Sequence, residues 1–167
     1  MNKLYLAILL ASAVAAPNMA LALNKPSGPV VLTVSGTLDH PNDGKDAKFD
    51  LPMLEALASR SATMSTPWTE GETTFSGPLM SAVLDAAGAH GKTFKVVALN
   101  QYSAEIPSED VTTIKTILAT RMNGKPMSVR DKGPLFLIYP FDINPELYNE
   151  KYFSRSVWQI KAIEVAE

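Results

Sequence analysis

The 167-residue sequence contains no cysteine. It therefore cannot form a disulfide, a thiolate-ligated zinc or iron–sulfur site, or a thiol nucleophile. Its only histidines, His40 and His90, lie far apart in predicted loops, which does not favour a histidine metal pair. A glycine-rich phosphate loop, His-Glu-x-x-His and Gly-x-Ser-x-Gly are also missing. Most nucleophilic and metal-dependent mechanisms thus have no candidate residues, and no spacing of Asp and Glu singles out a catalytic pair.

The sequence also lacks an excess of positive charge. Its 15 basic and 17 acidic residues give a net charge of −2, and removal of Lys3 with an N-terminal leader would make it −3. A near-neutral, slightly acidic chain has no electrostatic basis for binding nucleic acid or an anionic membrane. We therefore expect neither as a partner.

Long apolar runs are confined to the N-terminus. Lys3 precedes the apolar run 4–16, and Ala20 and Ala22 provide small residues for a cleavage site. This pattern is typical of a Sec-type signal peptide over residues 1–22, and the run is too short for a comfortable membrane span. We expect an exported product that comprises one domain over residues 23–167, with no membrane insertion after cleavage.

Short β-branched and apolar segments dominate the rest of the chain. Residues 30–34 and 94–99 are predicted as strands, and the unbroken apolar run 135–139 as a strand buried on both faces. Helical spacing after Gly77-Pro78, which ends at Gly88, predicts the clearest helix. Segments 100–107 and 141–149 are interpreted mainly as polar connections. The fold class is therefore α+β, a strand-dominated mixed sheet with a few short helices.

Aromatic and basic residues cluster at the ends of the predicted strands. Flat heterocycles are bound by stacking on aromatic faces and by fork-like donors to ring carbonyls. Each residue alone is equally consistent with a structural role, as a core aromatic or a solvated arginine. The set comprises Trp68, Tyr102, Arg121, Arg130, Tyr139, Arg155 and Trp158.

Five segments, in their order and spacing, carry a resemblance to a known family. They are Gln101–Pro107, Ile117–Ala119, Met122–Met127, Arg130–Leu135 and Arg155–Trp158. Together they resemble the molybdopterin-binding domain of the sulfite oxidase superfamily, which implies the sulfite oxidase-like fold. The enzymes of that family bind molybdenum through a cysteine before the first matched helix, where this chain has Thr63–Trp68. The resemblance without that cysteine implies a protein that is not an enzyme and has no catalytic or metal-ligating residues.

A smaller group is more similar still. Thr-Pro-Trp-Thr, Tyr-Ser-Ala-Glu-Ile-Pro, Arg-Asp-Lys-Gly-Pro-Leu and Arg-Ser-Val-Trp-Gln resemble small exported bacterial pterin-binding regulators of the PruR type. This resemblance implies a periplasmic ligand sensor that binds a neopterin- or monapterin-like pterin rather than molybdopterin, and that needs no obligatory cofactor. Its implied partner is the periplasmic sensor domain of a membrane-bound cyclic-di-GMP synthase or phosphodiesterase. The implied role is therefore the control of biofilm formation.

Under this hypothesis the ligand needs an aromatic face, donors and acceptors. Trp68, Tyr102 or Trp158 would stack on the ring, and Arg130 and Arg155 would donate to it. Asn100 and Ser156 have the polarity for edge contacts. Asp131 would accept from the amino group or would instead pair with Arg130. The sequence leaves two alternatives open: a molybdopterin-dependent oxidoreductase whose metal is held only by the cofactor's sulfurs, and a ligand-free interaction module on the same fold.

Overall fold

Three small β-sheets form the framework of the protein in a computed structural model that describes residues 23–167. The predicted signal peptide lies outside the described residues. The strands are β1 (Val30–Ser35), β2 (Ala47–Asp50), β3 (Ser59–Ser65), β4 (Glu72–Pro78), β5 (Thr93–Ala98), β6 (Ser103–Pro107), β7 (Ile117–Ala119), β8 (Arg121–Met122), β9 (Lys125–Pro126), β10 (Phe136–Ile138) and β11 (Ile160–Ala166). The helices are α1 (Leu51–Glu55), α2 (Met80–Ala87), α3 (Ser108–Thr113) and α4 (Glu150–Arg155), with single 3₁₀ turns at Val129–Asp131 and Pro145–Leu147. This confirms the predicted strand-dominated α+β class.

The largest sheet has five strands in the order β2-β1-β11-β5-β6. β1 and β11 are parallel, whereas the other neighbours in this sheet are antiparallel, so the sheet is mixed as predicted. Leu32, Val34, Val96 and Ile163 point into the core and are fully buried. The alternating burial of β1 follows from the two-residue period of a strand with one face on the core.

A four-stranded sheet, β3-β4-β8-β9, and a β7–β10 pair complete the framework. The turn between β8 and β9 is Asn123-Gly124, where both residues have positive φ, as this dipeptide predicts. The run 135–139 around β10 has no exposed surface at any position. A buried strand is therefore confirmed there, bordered by a cis Gly133-Pro134 peptide.

Gly133 lets the segment before β10 pass close to the preceding loop. A Cβ atom at this position would overlap the backbone carbonyl of Met127. The close approach explains why a glycine stands between the charged residues 130–132 and the buried strand, and it fixes the loop against the core.

Three regular elements, β2, β6 and α4, lie where the sequence analysis predicts no strand or helix, and only the β6 segment was interpreted there as a connection. β2 and β6 are edge strands of the large sheet, and α4 follows the second 3₁₀ turn. β6 was missed because Ser103 and Glu105 are exposed and its residues form a polar patch. α4 has only six residues, fewer than two turns, too few for a helical period to show. Within residues 23–167, no helix is long and apolar enough to span a membrane.

Candidate functional site

A cleft of about 370 Å³ opens between the end of β5, the loop before β4 and helix α4. Six of its ten lining residues are aromatic or aliphatic, and three separate chain segments bring the ten together. The lining residues are Trp68, Ala98, Asn100, Tyr102, Glu150, Phe153, Ser154, Ser156, Val157 and Trp158. Five of them, Trp68, Asn100, Tyr102, Ser156 and Trp158, are site residues predicted from the sequence.

Trp68 lies at the centre of the aromatic lining. Its ring centroid is 6.1 Å from that of Trp158, 5.7 Å from Phe153 and 5.5 Å from the buried Phe136. These pairs cross at 61–81°, in the edge-to-face arrangement that aromatic rings favour. Because the edges are used for mutual packing, the partly exposed rings are held rigidly. A rigid apolar wall of this kind suits a flat ligand.

Tyr102 forms a more exposed part of the lining. Its hydroxyl donates to the backbone carbonyl of Ser154 over 2.7 Å, although half of the residue is accessible to solvent. This hydrogen bond ties the turn after β5 to α4. Tyr102 therefore both lines the cleft and fixes the distance between two of its walls.

The hydroxyls of the cleft are engaged with the backbone of α4. Ser156 donates to the carbonyl of Tyr152 over 2.8 Å, and Ser154 donates to that of Lys151 over 2.8 Å. The Oδ1 atom of Asn100 accepts the backbone N–H of Tyr102 over 3.0 Å. What these side chains still offer is the Nδ2 group of Asn100 as a donor and the hydroxyl oxygens as acceptors.

Glu150 is the charged residue of this cleft, and sequence analysis missed it. It is the first residue of α4 and is exposed to solvent. The ion pairs formed by residues 23–167 do not involve Glu150. Its carboxylate thus forms no ion pair within the described residues, and both oxygens remain available as acceptors.

Arg155, a predicted donor to the ligand, is engaged behind the cleft wall. Its Nη1 atom donates to Asp110 Oδ2 over 2.7 Å, and the Tyr139 hydroxyl donates to the same oxygen over 2.8 Å. Asp110 and Tyr139 are both buried, and burial together with the charge of Asp110 raises the pKa of Tyr139 above its usual range. Arg155 is not among the residues that line the cleft. The structure thus places it where it anchors α4 to α3 and to the strand end after β10.

Arg130 and Asp131 line a neighbouring cleft of about 360 Å³ that shares Trp68 with the first. Asp131 does not pair with Arg130. Instead it accepts a hydrogen bond from the Ser128 hydroxyl over 2.7 Å, within the 3₁₀ turn. Lys132 lies 4.9 Å over the ring of Trp158, a cation–π contact between the two clefts.

Comparison with models of protein families shows which family the chain belongs to. Residues 52–167 match the family described as oxidoreductase molybdopterin binding domain. The chain belongs to this family. A search of curated proteins finds no match. Family membership confirms the sulfite oxidase-like fold, whereas closeness to one subgroup rests on the sequence motifs alone.

The molybdopterin-binding family implies a cofactor with a flat pterin and a metal-binding end. The residues of the cleft and of the segments around it suit the pterin but not the metal. The aromatic cleft can accommodate a flat ring. For the metal, the domain has no cysteine, and within residues 23–167 no group of three His, Asp or Glu is placed to hold an ion. The Thr66 hydroxyl, in the segment before β4, is buried and paired with that of Thr69 over 2.8 Å. The donors present therefore do not fit protein-ligated molybdenum.

Helix α4 of this molybdopterin-binding domain supplies three of the five cleft residues that sequence analysis missed, Glu150, Phe153 and Ser154; the other two are Ala98 and Val157. A signal for α4 is present in the sequence. Asn149 is a favoured N-cap residue, an acidic residue follows it, and Arg155 ends the helix. A prediction based on these capping residues, rather than on the helical spacing of apolar residues, would have placed a helix over residues 150–155.

Proposed function

We propose that the protein is an exported pterin receptor that regulates a membrane-bound cyclic-di-GMP enzyme. The observation that carries the proposal is the aromatic cleft between Trp68, Tyr102, Phe153 and Trp158, in a domain whose family binds molybdopterin. A volume of about 370 Å³ lies within the usual size of small-molecule sites. A pterin without a metal fits the available side chains better than the complete molybdenum cofactor does.

The cleft offers the two kinds of contact that a pterin requires. Aromatic faces stack on the bicyclic ring, and burial of apolar area contributes roughly 25 cal/mol per Å². Asn100 and Glu150 offer a donor and acceptors for the ring edge. Arg130 and Asp131 would reach only a ligand that extends past Trp68 into the neighbouring cleft. Affinity in the micromolar range, about −8 kcal/mol, is reasonable for such a site.

Regulation requires a partner that distinguishes the bound from the free protein, since a ligand shifts an equilibrium only by its differential affinity. The resemblance to the PruR-type regulators supports a periplasmic sensor domain as that partner and the periplasm as the location. Tyr102, half exposed at the cleft, is suited to convey occupancy to the surface. Biofilm control would follow from the partner's enzymatic activity.

The decisive experiment is a titration of the purified protein with neopterin, monapterin and molybdopterin. Both tryptophans of the chain, Trp68 and Trp158, line the cleft, so tryptophan fluorescence reports on this cleft and, through Trp68, on the neighbouring one. We expect saturable quenching by a simple pterin, accompanied by a melting temperature that rises with ligand concentration. Trp68→Phe and Trp158→Phe variants should each lose part of the signal.

Other results would favour the other hypotheses. No response to any of the three compounds would contradict the receptor proposal and favour an interaction module that retains the fold without a ligand. Molybdenum in stoichiometric amount in protein purified from its native host would favour the oxidoreductase. Capture of the membrane enzyme only in the presence of the pterin would support the complete regulatory proposal.

A further inference from the structure

We infer that Glu150 determines the specificity of the cleft, by accepting hydrogen bonds from the 2-amino and N3–H groups of a 2-amino-4-oxo pteridine. This inference rests on the proposed pterin-binding function and specifies which part of the ligand is recognised. The starting observation is that Glu150 is the charged side chain among the ten residues that line the cleft.

The carboxylate of Glu150 is available to a ligand. The side-chain hydrogen bonds of α4 are made by residues near Glu150 and not by Glu150 itself. Asn149 caps the helix, Ser154 donates to the carbonyl of Lys151, and Arg155 pairs with Asp110. The nearest cation in sequence, Lys151, lies over the ring of Tyr152 at 5.0 Å instead of pairing with Glu150. Both carboxylate oxygens therefore retain their capacity as acceptors.

The other polar groups of the cleft cannot take this role as well. The Tyr102 hydroxyl donates to Ser154, and Asn100 uses its oxygen for the backbone of Tyr102, which leaves the Asn100 Nδ2 group as a donor. Ser156 is 2% exposed and has only a single hydroxyl oxygen to offer. A pair of adjacent N–H donors on a ligand is matched by the two oxygens of one carboxylate, in the geometry that also favours carboxylate–guanidinium pairs.

This arrangement predicts the class of heterocycle that the cleft selects. A pterin has two adjacent N–H donors at positions 2 and 3 and a carbonyl acceptor at position 4. Glu150 matches the donors, and the Nδ2 group of Asn100 is a donor for an acceptor of the ring. Lumazine has the same bicyclic ring but an oxygen in place of the 2-amino group. That oxygen would face the carboxylate, so the contact would become repulsive.

The test measures dissociation constants of pterin and lumazine for the wild-type protein and for Glu150→Gln, by tryptophan quenching. We expect the wild type to prefer pterin by about tenfold or more, the effect of a charge-assisted hydrogen bond. In Glu150→Gln, pterin should bind about tenfold more weakly while lumazine binds as well as before or better, because the amide can donate to its 2-oxygen. Glu146→Gln is the matched control. It removes the same charge from an exposed residue on the turn before α4, outside the cleft, and should leave both constants unchanged.

The outcomes separate this inference from the receptor proposal. If the wild type binds neither compound, the receptor proposal fails. If it binds both equally, or if Glu150→Gln keeps the wild-type preference, the receptor stands and the role of Glu150 is refuted. Retained lumazine binding by Glu150→Gln also shows that the variant is folded, so weaker pterin binding cannot result from a collapsed cleft.

Discussion

At the scale of single residues, Asp50 holds two distant parts of the chain together. One carboxylate oxygen accepts the N–H of Met53 over 3.0 Å and so caps α1. The other accepts the N–H groups of Ser27 and Gly28, each over 2.8 Å. The hydrogen bond from Met53, followed by those from Gly28 and Ser27, lowers the pKa of Asp50. The N-terminal lead-in is therefore fixed by a charge at the start of a helix.

The first prediction follows because the two oxygens of the Asp50 carboxylate accept hydrogen bonds from different parts of the chain. Asn has one acceptor oxygen, so Asp50→Asn can keep only one set of bonds, and we expect a lower melting temperature. Because the pKa of Asp50 is depressed in the folded state, its contribution is complete above the unfolded value, about 3.9, and is lost as pH falls through the folded value. The difference between wild type and variant should thus be largest near pH 7 and shrink in acid. Thermal unfolding across this range tests it, with the exposed Asp85→Asn as control. A pH-independent difference would refute the charge-based account.

A second residue-scale prediction concerns Arg155. Arg155→Ala leaves the buried Asp110 with the Tyr139 hydroxyl as its remaining donor and should cost about 1–3 kcal/mol of stability. Arg121→Ala removes a more exposed pair with Glu55 and should cost less. Denaturant unfolding of both variants measures this difference. Equal losses would contradict the anchoring role.

Pterin affinity of the folded Arg155→Ala protein tests separately the expectation that Arg155 donates to the ligand. That expectation requires a loss of about 1.5–3 kcal/mol in binding free energy.

At the scale of elements, the sequence predicts best where a pattern is local. The buried run 135–139, the Asn123-Gly124 turn and the helix ending at Gly88 all have such signals, and all are present. The helix nevertheless begins at Met80 rather than at Gly77-Pro78, because Gly77 and Pro78 extend β4 and pair with β3. Competition between a helix start and a strand end is decided by the neighbouring strand, which the sequence does not show.

The candidate site was predictable to a similar degree. Aromatic residues at strand ends converge on the cleft because they are partly apolar and pack together, so Trp68, Tyr102 and Trp158 were found. The direction of a long side chain depends on partners distant in sequence. Arg155 turns to Asp110, 45 residues away. Glu150 escaped notice because no element is predicted over residues 150–155, and an isolated acidic residue outside a regular element is ordinarily solvated.

The third prediction concerns α4 as an element. Asn149 accepts the N–H of Lys151 over 3.0 Å and donates to the carbonyl of Glu146 over 2.8 Å, so it connects the 3₁₀ turn to the helix. Asn149→Ala should destabilise the protein by about 1 kcal/mol, the usual effect of a lost N-cap. It should also weaken pterin binding, because α4 carries one wall of the cleft. Denaturant unfolding and fluorescence titration measure the two effects. Asn144→Ala, which removes only an exposed bond to Glu146, is the control and should change neither.

At the scale of the whole molecule, the last strand closes the structure. β11 lies in the middle of the five-stranded sheet, between β1 and β5, and its Ile160 and Ile163 are fully buried. Its parallel pairing with β1 joins Thr33 to Ala162, near opposite ends of the chain. With no disulfide to assist, this non-local pairing and the core it covers must hold the fold. The cleft depends on the same closure, since Trp158 lies two residues before β11 and the last residue of β5, Ala98, pairs with Ile160 of β11.

A C-terminal truncation tests this dependence. Deletion of residues 160–167 splits the large sheet into β2-β1 and β5-β6 and removes two fully buried isoleucines, each worth roughly 1.5–3 kcal/mol in burial alone. Such a loss approaches or exceeds the 5–15 kcal/mol by which domains are stable once the strand hydrogen bonds are included. We expect no cooperative thermal transition and no pterin-dependent quenching, although Trp68 and Trp158 remain in the chain. Deletion of Glu167 alone, an exposed residue beyond β11, should leave the melting temperature and the affinity unchanged. A cooperative transition in the longer deletion would show that the two remaining halves of the sheet fold without the strand between them, and the cleft could then be supported by β5, β6 and α4 alone.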